Sequence, residues 1–225
     1  VNGGVTNALN MPSVSAEEAP RLKPYMELCR QLGAFAGQLS AAQGQEMSAI
    51  AIEYEGAVAR LNTRPLTAAA LAGLLGPLMS GANMVNAPVL AAERGIEVSE
   101  TVHDRQSEYQ SRVRITVTTP KQARTVAGTL FAGRPRLVEI KGIPVEADFA
   151  PHMLYVTNQD KPGFIGRFGA TLSGAGINIA TFHLGRAEAG GDAICLVSLD
   201  EAVPEDVLEM VRTLPLVVHA VALNF

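Results

Sequence analysis

The chain has 225 residues, 48% hydrophobic and 18% charged, enough for one to three compact units with a sizeable core. A formal net charge of −4 and a sequence pI of about 5.6 leave no basic field for nucleic acid or an anionic membrane surface. No apolar run reaches the roughly 20 residues of a membrane helix and no secretory leader opens the chain, so a cytoplasmic protein is expected, with neither nucleic-acid nor membrane partners.

In chain order, Val1 and the opening "VNGGVTNALNMPSV" read as the interior of a domain, so a piece of a longer polypeptide is expected. Residues 15–39 place Ser15 three positions before Glu18, a capping box, followed by Leu22, Met26, Leu28, Leu32 and Phe35 at near-helical spacing. That predicts a helix bent or interrupted near Pro20 and Pro24. Residues 47–59 alternate as a strand does, and "PLTAAALAGLLGPLM" is a helix launched by Pro65. "ANMVNAPVLAAERGI" reads as another helix, ended by Gly95. "RVRITVTT", "RTVAGTLFA", "RLVEIKG" and "IPVEADF" follow as strands joined by short turns, making the middle of the chain α+β.

Residues 150–225 repeat a self-contained βαββαβ pattern: strand 152–158, helix 163–174, strands 177–186 and 191–199, helix 204–213, strand 216–224. This is the ferredoxin-like arrangement. Pro162 suits the first helical position, Gly174 and Gly176 suit the helix end, "EAGGD" suits a hairpin turn, and Glu205 and Asp206 suit the second helix's positive end.

Candidate chemistry is sparse. Gly163, Gly166 and Gly169 fall inside the predicted helix, not in the strand-to-helix turn of a dinucleotide fingerprint, and no Gly-Lys-Ser/Thr follows them. Close helix packing is the expected use of Gly166 and Gly169. His103, His152, His183 and His219 lack paired-ligand spacing, and Cys29 and Cys195 lack C-x-x-C spacing, so no metal site is expected and the thiols are expected to be buried. Glu53, Glu55, Glu100 and Asp104 are expected on solvated faces. Arg134, Arg136 and Lys141 could hold an anion between domains, an exposed basic loop being the alternative.

The turn "NQDKPG" is the most informative stretch. An α-amino acid carries an ammonium and a carboxylate a few ångströms apart. Asp160 can take the first, and backbone N–H groups at the following helix start favour the second. Asn158 and Asn178 can add donors and acceptors, with Asn178 expected beside the loop that leads into the helix. The alternative is that Asp160 caps the helix and Asn178 merely turns the chain.

"NQDKPGFIGRFGATLSGAGINIATFHLGR" followed by "GGDAICLVSLDEAVPEDVL" resembles an ACT domain, specifically that of the D-3-phosphoglycerate dehydrogenase family. "VTNALNMPSVSAEEAPRLKPYMELCRQLGAFAGQL" is similar to that family's exit from its catalytic core, and residues 40–145 to its intervening, or allosteric substrate-binding, domain. The resemblance implies three parts: residues 1–39 as an incomplete end of the catalytic core, 40–149 as the intervening domain and 150–225 as the ACT regulatory domain. It implies an NAD-dependent parent oxidoreductase of serine biosynthesis, with NAD and catalytic residues outside this stretch, so that no cofactor and no activity are expected here. It also implies a homodimer or tetramer with L-serine or another small amino acid between paired ACT domains. The effector would touch Asn158, Asp160 and Asn178, with Lys161, Pro162 and Gly163 shaping the loop. A purely structural assembly module that binds no effector is the rival reading.

Overall fold

The computed structural model describes residues 17–44, 46–104 and 108–225. The chain divides into two compact units after Arg136. The first unit opens with helix α1 (Ala19–Ala41), which buries Leu22, Leu28, Cys29, Leu32, Phe35 and Leu39. It runs unbroken through both prolines, contrary to the expected interruption: Pro20 sits in the first turn, where no intrahelical N–H is needed, and Pro24 costs one bond. Glu18 is the N-cap and makes no side-chain cap bond, while the Ser15 of the expected capping box lies outside the described residues.

Strand β1 (Ala49–Gly56) alternates as read, burying Ile50, Ile52 and Tyr54. It ends at Gly56, whose φ is +76° and whose Cβ, if it had one, would stand 2.5 Å from the Gln110 carbonyl oxygen. Helices α2 (Arg64–Leu75) and α3 (Ala87–Glu93) then lead to β2 (Glu97–His103), parallel to β1. Strands β3 (Ser111–Thr118) and β4 (Ala123–Phe131) continue the sheet antiparallel. Val113, Ile115 and Val117 of β3 are buried, while Arg112, Arg114 and Thr116 alternate with them. Tyr54 and Thr67 share a hydrogen bond of 2.8 Å inside the core, tying β1 to α2.

Tightest of all is the α1–α2 contact. A Cβ on Gly33 would stand 2.1 Å from the Ala70 carbonyl oxygen, one on Gly37 2.1 Å from that of Leu74, and one on Gly73 2.1 Å from that of Arg30. The two helices therefore touch backbone to backbone. Burial pushes the thiols of Cys29 and Cys195 well above the ordinary cysteine range. Both are expected to resist a thiol reagent in the native state and to react fully in denaturant; native labelling at either position would show that its surroundings open.

The second unit contains most of β5 (Arg134–Ile140), then β6 (Ile143–Asp148), β7 (His152–Gln159), α4 (Phe164–Gly174), β8 (Ile179–Arg186), β9 (Asp192–Leu199), α5 (Glu205–Arg212) and β10 (Val217–Asn224). The last four strands form an antiparallel sheet ordered β10-β7-β9-β8, the ferredoxin-like arrangement. Leu154, Val156, Cys195, Val197 and Ala220 pack under Phe164, Phe168 and Leu172 of α4 and Val207, Leu208 and Val211 of α5. Glu205 and Asp206 occupy the first turn of α5 as expected. On the face of β8 away from α4, β6 approaches so closely that a Cβ on Gly185 would meet the Pro144 carbonyl oxygen at 2.5 Å.

Candidate functional site

The loop from β7 to α4 is held by backbone on both sides. Gln159 N–H donates to the Leu216 carbonyl at 2.9 Å and Asp160 N–H to the Gly191 carbonyl at 2.9 Å. Lys161 and Pro162 are exposed, and Gly163 takes a φ of +98° that favours glycine before the chain turns into the helix. Gly163, not Pro162, is the N-cap, so Pro162 lies ahead of the helix, and no side chain among the described residues caps the first turn of α4. Those N–H groups are left for another acceptor. The Arg167 side chain folds back over the loop, its Nη2 2.6 Å from where a Gly163 Cβ would stand.

Asp160 neither caps α4 nor stands alone. Its Oδ2 accepts from Arg186 Nη1 at 2.7 Å and from Gly190 N–H at 3.1 Å. These bonds, Arg186 first, hold the carboxyl below its ordinary range. What its charge contributes is present above the ordinary carboxyl range and is lost as pH falls through the lowered value. Its Oδ1 takes no donor among the described residues.

Asn158 is 2% exposed, at the end of β7 on the face that carries Leu154 and Val156 beneath α4. Its Nδ2 donates to the Gln159 carbonyl at 2.9 Å, while Oδ1 lacks any donor among the described residues. A buried unpaired acceptor is costly, so a donor arriving there gains more than at a solvated oxygen.

Asn178 stands elsewhere, donating through Nδ2 to Asp200 Oδ2 at 2.7 Å. Ile179 and His152 both pair with Leu199, whereas Asn158 pairs with Ala193 at the opposite end of β9. The sequence-based expectation that Asn178 lies beside the loop leading into α4 is thus overturned. It follows the end of α4, about 20 Å along the sheet from Asn158 at 3.3 Å per residue. One chain brings Asn158, Asp160, Lys161, Pro162 and Gly163 together and leaves Asn178 apart.

Gly166 and Gly169 depart from expectation too: a Cβ at either would meet nothing within 4 Å. They do not pack α4 onto its own sheet. They share the outer side of α4 with Ile165, 54% exposed, on the same side of the sheet as Leu184 of β8, 42% exposed.

Arg134 and Arg136 lie at the start of β5, in the first unit, and Lys141 follows its end, in the second. Arg136 stands 4.6 Å over the Phe131 ring. Of the four acids expected on solvated faces, Glu55 is buried, Glu53 lies 3.7 Å from Arg114, Glu100 accepts from Thr63 at 3.0 Å and Asp104 pairs with Arg60 at 2.9 Å. A cavity of about 360 Å³ lined by Met47, Leu75, Leu78, Met79, Arg94 and Ile96 involves none of the candidate residues.

The turn from β7 into α4 does not fit a dinucleotide. Strand β7 is antiparallel to both its neighbours, whereas a dinucleotide site needs a parallel βαβ unit with its glycines in the strand-to-helix turn. Among the described residues no group of three His, Cys, Asp or Glu side chains could hold a metal ion. No helix among the described residues is long and apolar enough to cross a membrane.

The sequence pattern of the D-3-phosphoglycerate dehydrogenase intervening domain matches residues 21–141, and that of the ACT domain matches residues 152–215. The chain belongs to the D-3-phosphoglycerate dehydrogenase intervening-domain family. Over 221 residues it is 34% identical to D-3-phosphoglycerate dehydrogenase of Methanocaldococcus jannaschii, covering 97% of this chain and 41% of that protein. It is 36% identical over 215 residues to the Bacillus subtilis protein of the same name, covering 94% and 40%. An Arabidopsis thaliana chloroplastic relative, also a D-3-phosphoglycerate dehydrogenase, is 26% identical over 234 residues. The chain thus spans about two fifths of the length of these curated relatives and corresponds to their C-terminal part.

Proposed function

We propose that the chain is the regulatory and assembly region of an NAD-dependent D-3-phosphoglycerate dehydrogenase of serine biosynthesis, acting in the cytoplasm. An L-amino acid, serine foremost, binds across two paired ACT domains with its ammonium near Asp160 and its carboxylate near the start of α4. Asn158 Oδ1 offers the ammonium a second acceptor, and Lys161, Pro162 and Gly163 shape the loop.

The observation that carries this reading is the separation of Asn178 from Asp160 along one sheet. β8 is an edge strand. Pairing two β8 edges antiparallel about a two-fold axis brings the Asn178 end of one copy toward the Asp160 end of the other. Open space beside Gly166 and Gly169 lets a second α4 approach closely, and Ile165 and Leu184 supply apolar area to cover. Each two-fold pair would hold two sites.

Calorimetric titration of the 225-residue chain with L-serine, alongside its mass in solution, tests this. A dimer or larger assembly that binds serine saturably is expected. An assembly that binds no amino acid at millimolar concentration would leave only the structural-module reading, and a strict monomer at high micromolar concentration would remove both. The same chain is expected neither to bind NADH nor to oxidise 3-phosphoglycerate, and saturable NADH fluorescence enhancement would contradict that. Arg134, Arg136 and Lys141 are retained as an anion site only if copies assemble around them.

A further inference from the structure

The Asp160–Arg186 pair has unused capacity on both partners. Asp160 accepts two donors on Oδ2 and, among the described residues, none on Oδ1. Arg186 uses Nη1 on Asp160, its side chain is 56% exposed at the last position of β8, and its other N–H groups take no acceptor among the described residues. Gly190 N–H, bonded to the same Oδ2, fixes the carboxylate without consuming Oδ1. An acid with one open oxygen therefore stands against a guanidinium with open donors, at the loop beside the uncapped first turn of α4.

From this geometry we infer that Arg186 is a specificity-determining residue that holds the carboxylate of a zwitterionic α-amino acid whose ammonium sits on Asp160 Oδ1. The ligand closes a ring of alternating charge: ammonium, Asp160, Arg186, carboxylate. Neither protein partner has to release the other, so the site is largely preorganised and little is lost in ordering it. The planar guanidinium can serve two carboxylates at once, which an ammonium side chain does less well. A ligand lacking either charge would leave one partner of the pair unanswered, so the site is expected to select free amino acids over amines and simple carboxylic acids. The inference rests on the proposed amino-acid site and adds to it the residue that reads the carboxylate.

The test uses the 225-residue chain, wild type, Arg186→Gln and Arg186→Lys, titrated with L-serine and with L-serinamide, which keeps the ammonium and lacks the carboxylate. Arg186→Gln is expected to weaken serine binding roughly tenfold to a hundredfold and to leave the much weaker serinamide binding within about twofold, with Arg186→Lys intermediate. If Arg186 only orients Asp160, both ligands weaken alike. If it competes for Asp160, serine binds Arg186→Gln more tightly; either result, or no change, overturns the inference while leaving the amino-acid site standing. A wild-type chain that binds no amino acid overturns both.

Discussion

Gly33→Ala is expected to destabilise the chain by about 2 kcal/mol net, while Gly169→Ala, the same substitution in another helix, is expected to stabilise it by about 0.5–1 kcal/mol. Alanine is the better helix former at both positions. What differs is the space. At Gly33 the new methyl would meet the Ala70 carbonyl oxygen at 2.1 Å, with further backbone atoms at 3.0 Å, and a helix backbone cannot swing aside as a side chain can. Relief requires α1 and α2 to part, which opens gaps among Leu28, Leu32, Leu71 and Leu74, all buried. At Gly169 the methyl enters open space. Urea midpoints of the two variants, read with unchanged slopes, decide the matter. A Gly33→Ala chain as stable as wild type would mean that the helices stand farther apart than described. The exposed pair has a further expected signature: Gly166→Ala with Gly169→Ala resists urea better as a fold yet self-associates more weakly, because the methyls occupy room needed by the second copy.

These two classes of glycine show where sequence reading succeeds and where it stops. Gly33 and Gly37 sit in an ordinary amphipathic pattern, and nothing local says that Gly73, forty residues on, faces them backbone to backbone. Gly166 and Gly169 look like packing glycines from spacing, but the face they lie on is decided by which residues of α4 the sheet buries: Phe164, Phe168 and Leu172. The ACT pattern was legible because its two central strands, β7 and β9, carry buried residues in sequence-visible runs, and its turns carry Gly or Pro. Strand β2 was not, since an edge strand exposed on most positions offers no alternation to read. The same limit applies to the site. Asn158 and Asp160 are neighbours in sequence and remain neighbours in space. Arg186 is 26 residues from Asp160 and is brought to it by strand register alone, and register likewise carries Asn178 to the far end.

Chains carrying Asp160→Ala and chains carrying Asn178→Ala, each defective alone, are expected to restore one tight serine site per pair when combined in a mixed dimer. Asp160→Ala should weaken serine roughly tenfold to a hundredfold by removing a charge-assisted partner, and Asn178→Ala roughly threefold to tenfold by removing a neutral one. Neither side chain supports the core: Asn178 is exposed, and Asp160 holds only Arg186 and a turn N–H. In a pair joined through antiparallel β8 edges, each site takes Asp160 from one copy and Asn178 from the other. The mixed pair then has one site with both residues intact and one with both removed. Purified through two different tags and titrated with L-serine, it should show wild-type affinity at half the wild-type number of sites. A site confined to one chain cannot do this, because every chain in the mixture carries a defect; such a mixture would titrate as the average of its parents, and the two-copy arrangement would have to be abandoned. The outcome follows from the register, which places Ile179 opposite the same Leu199 that faces His152 and so keeps Asn178 from Asp160 within a single sheet.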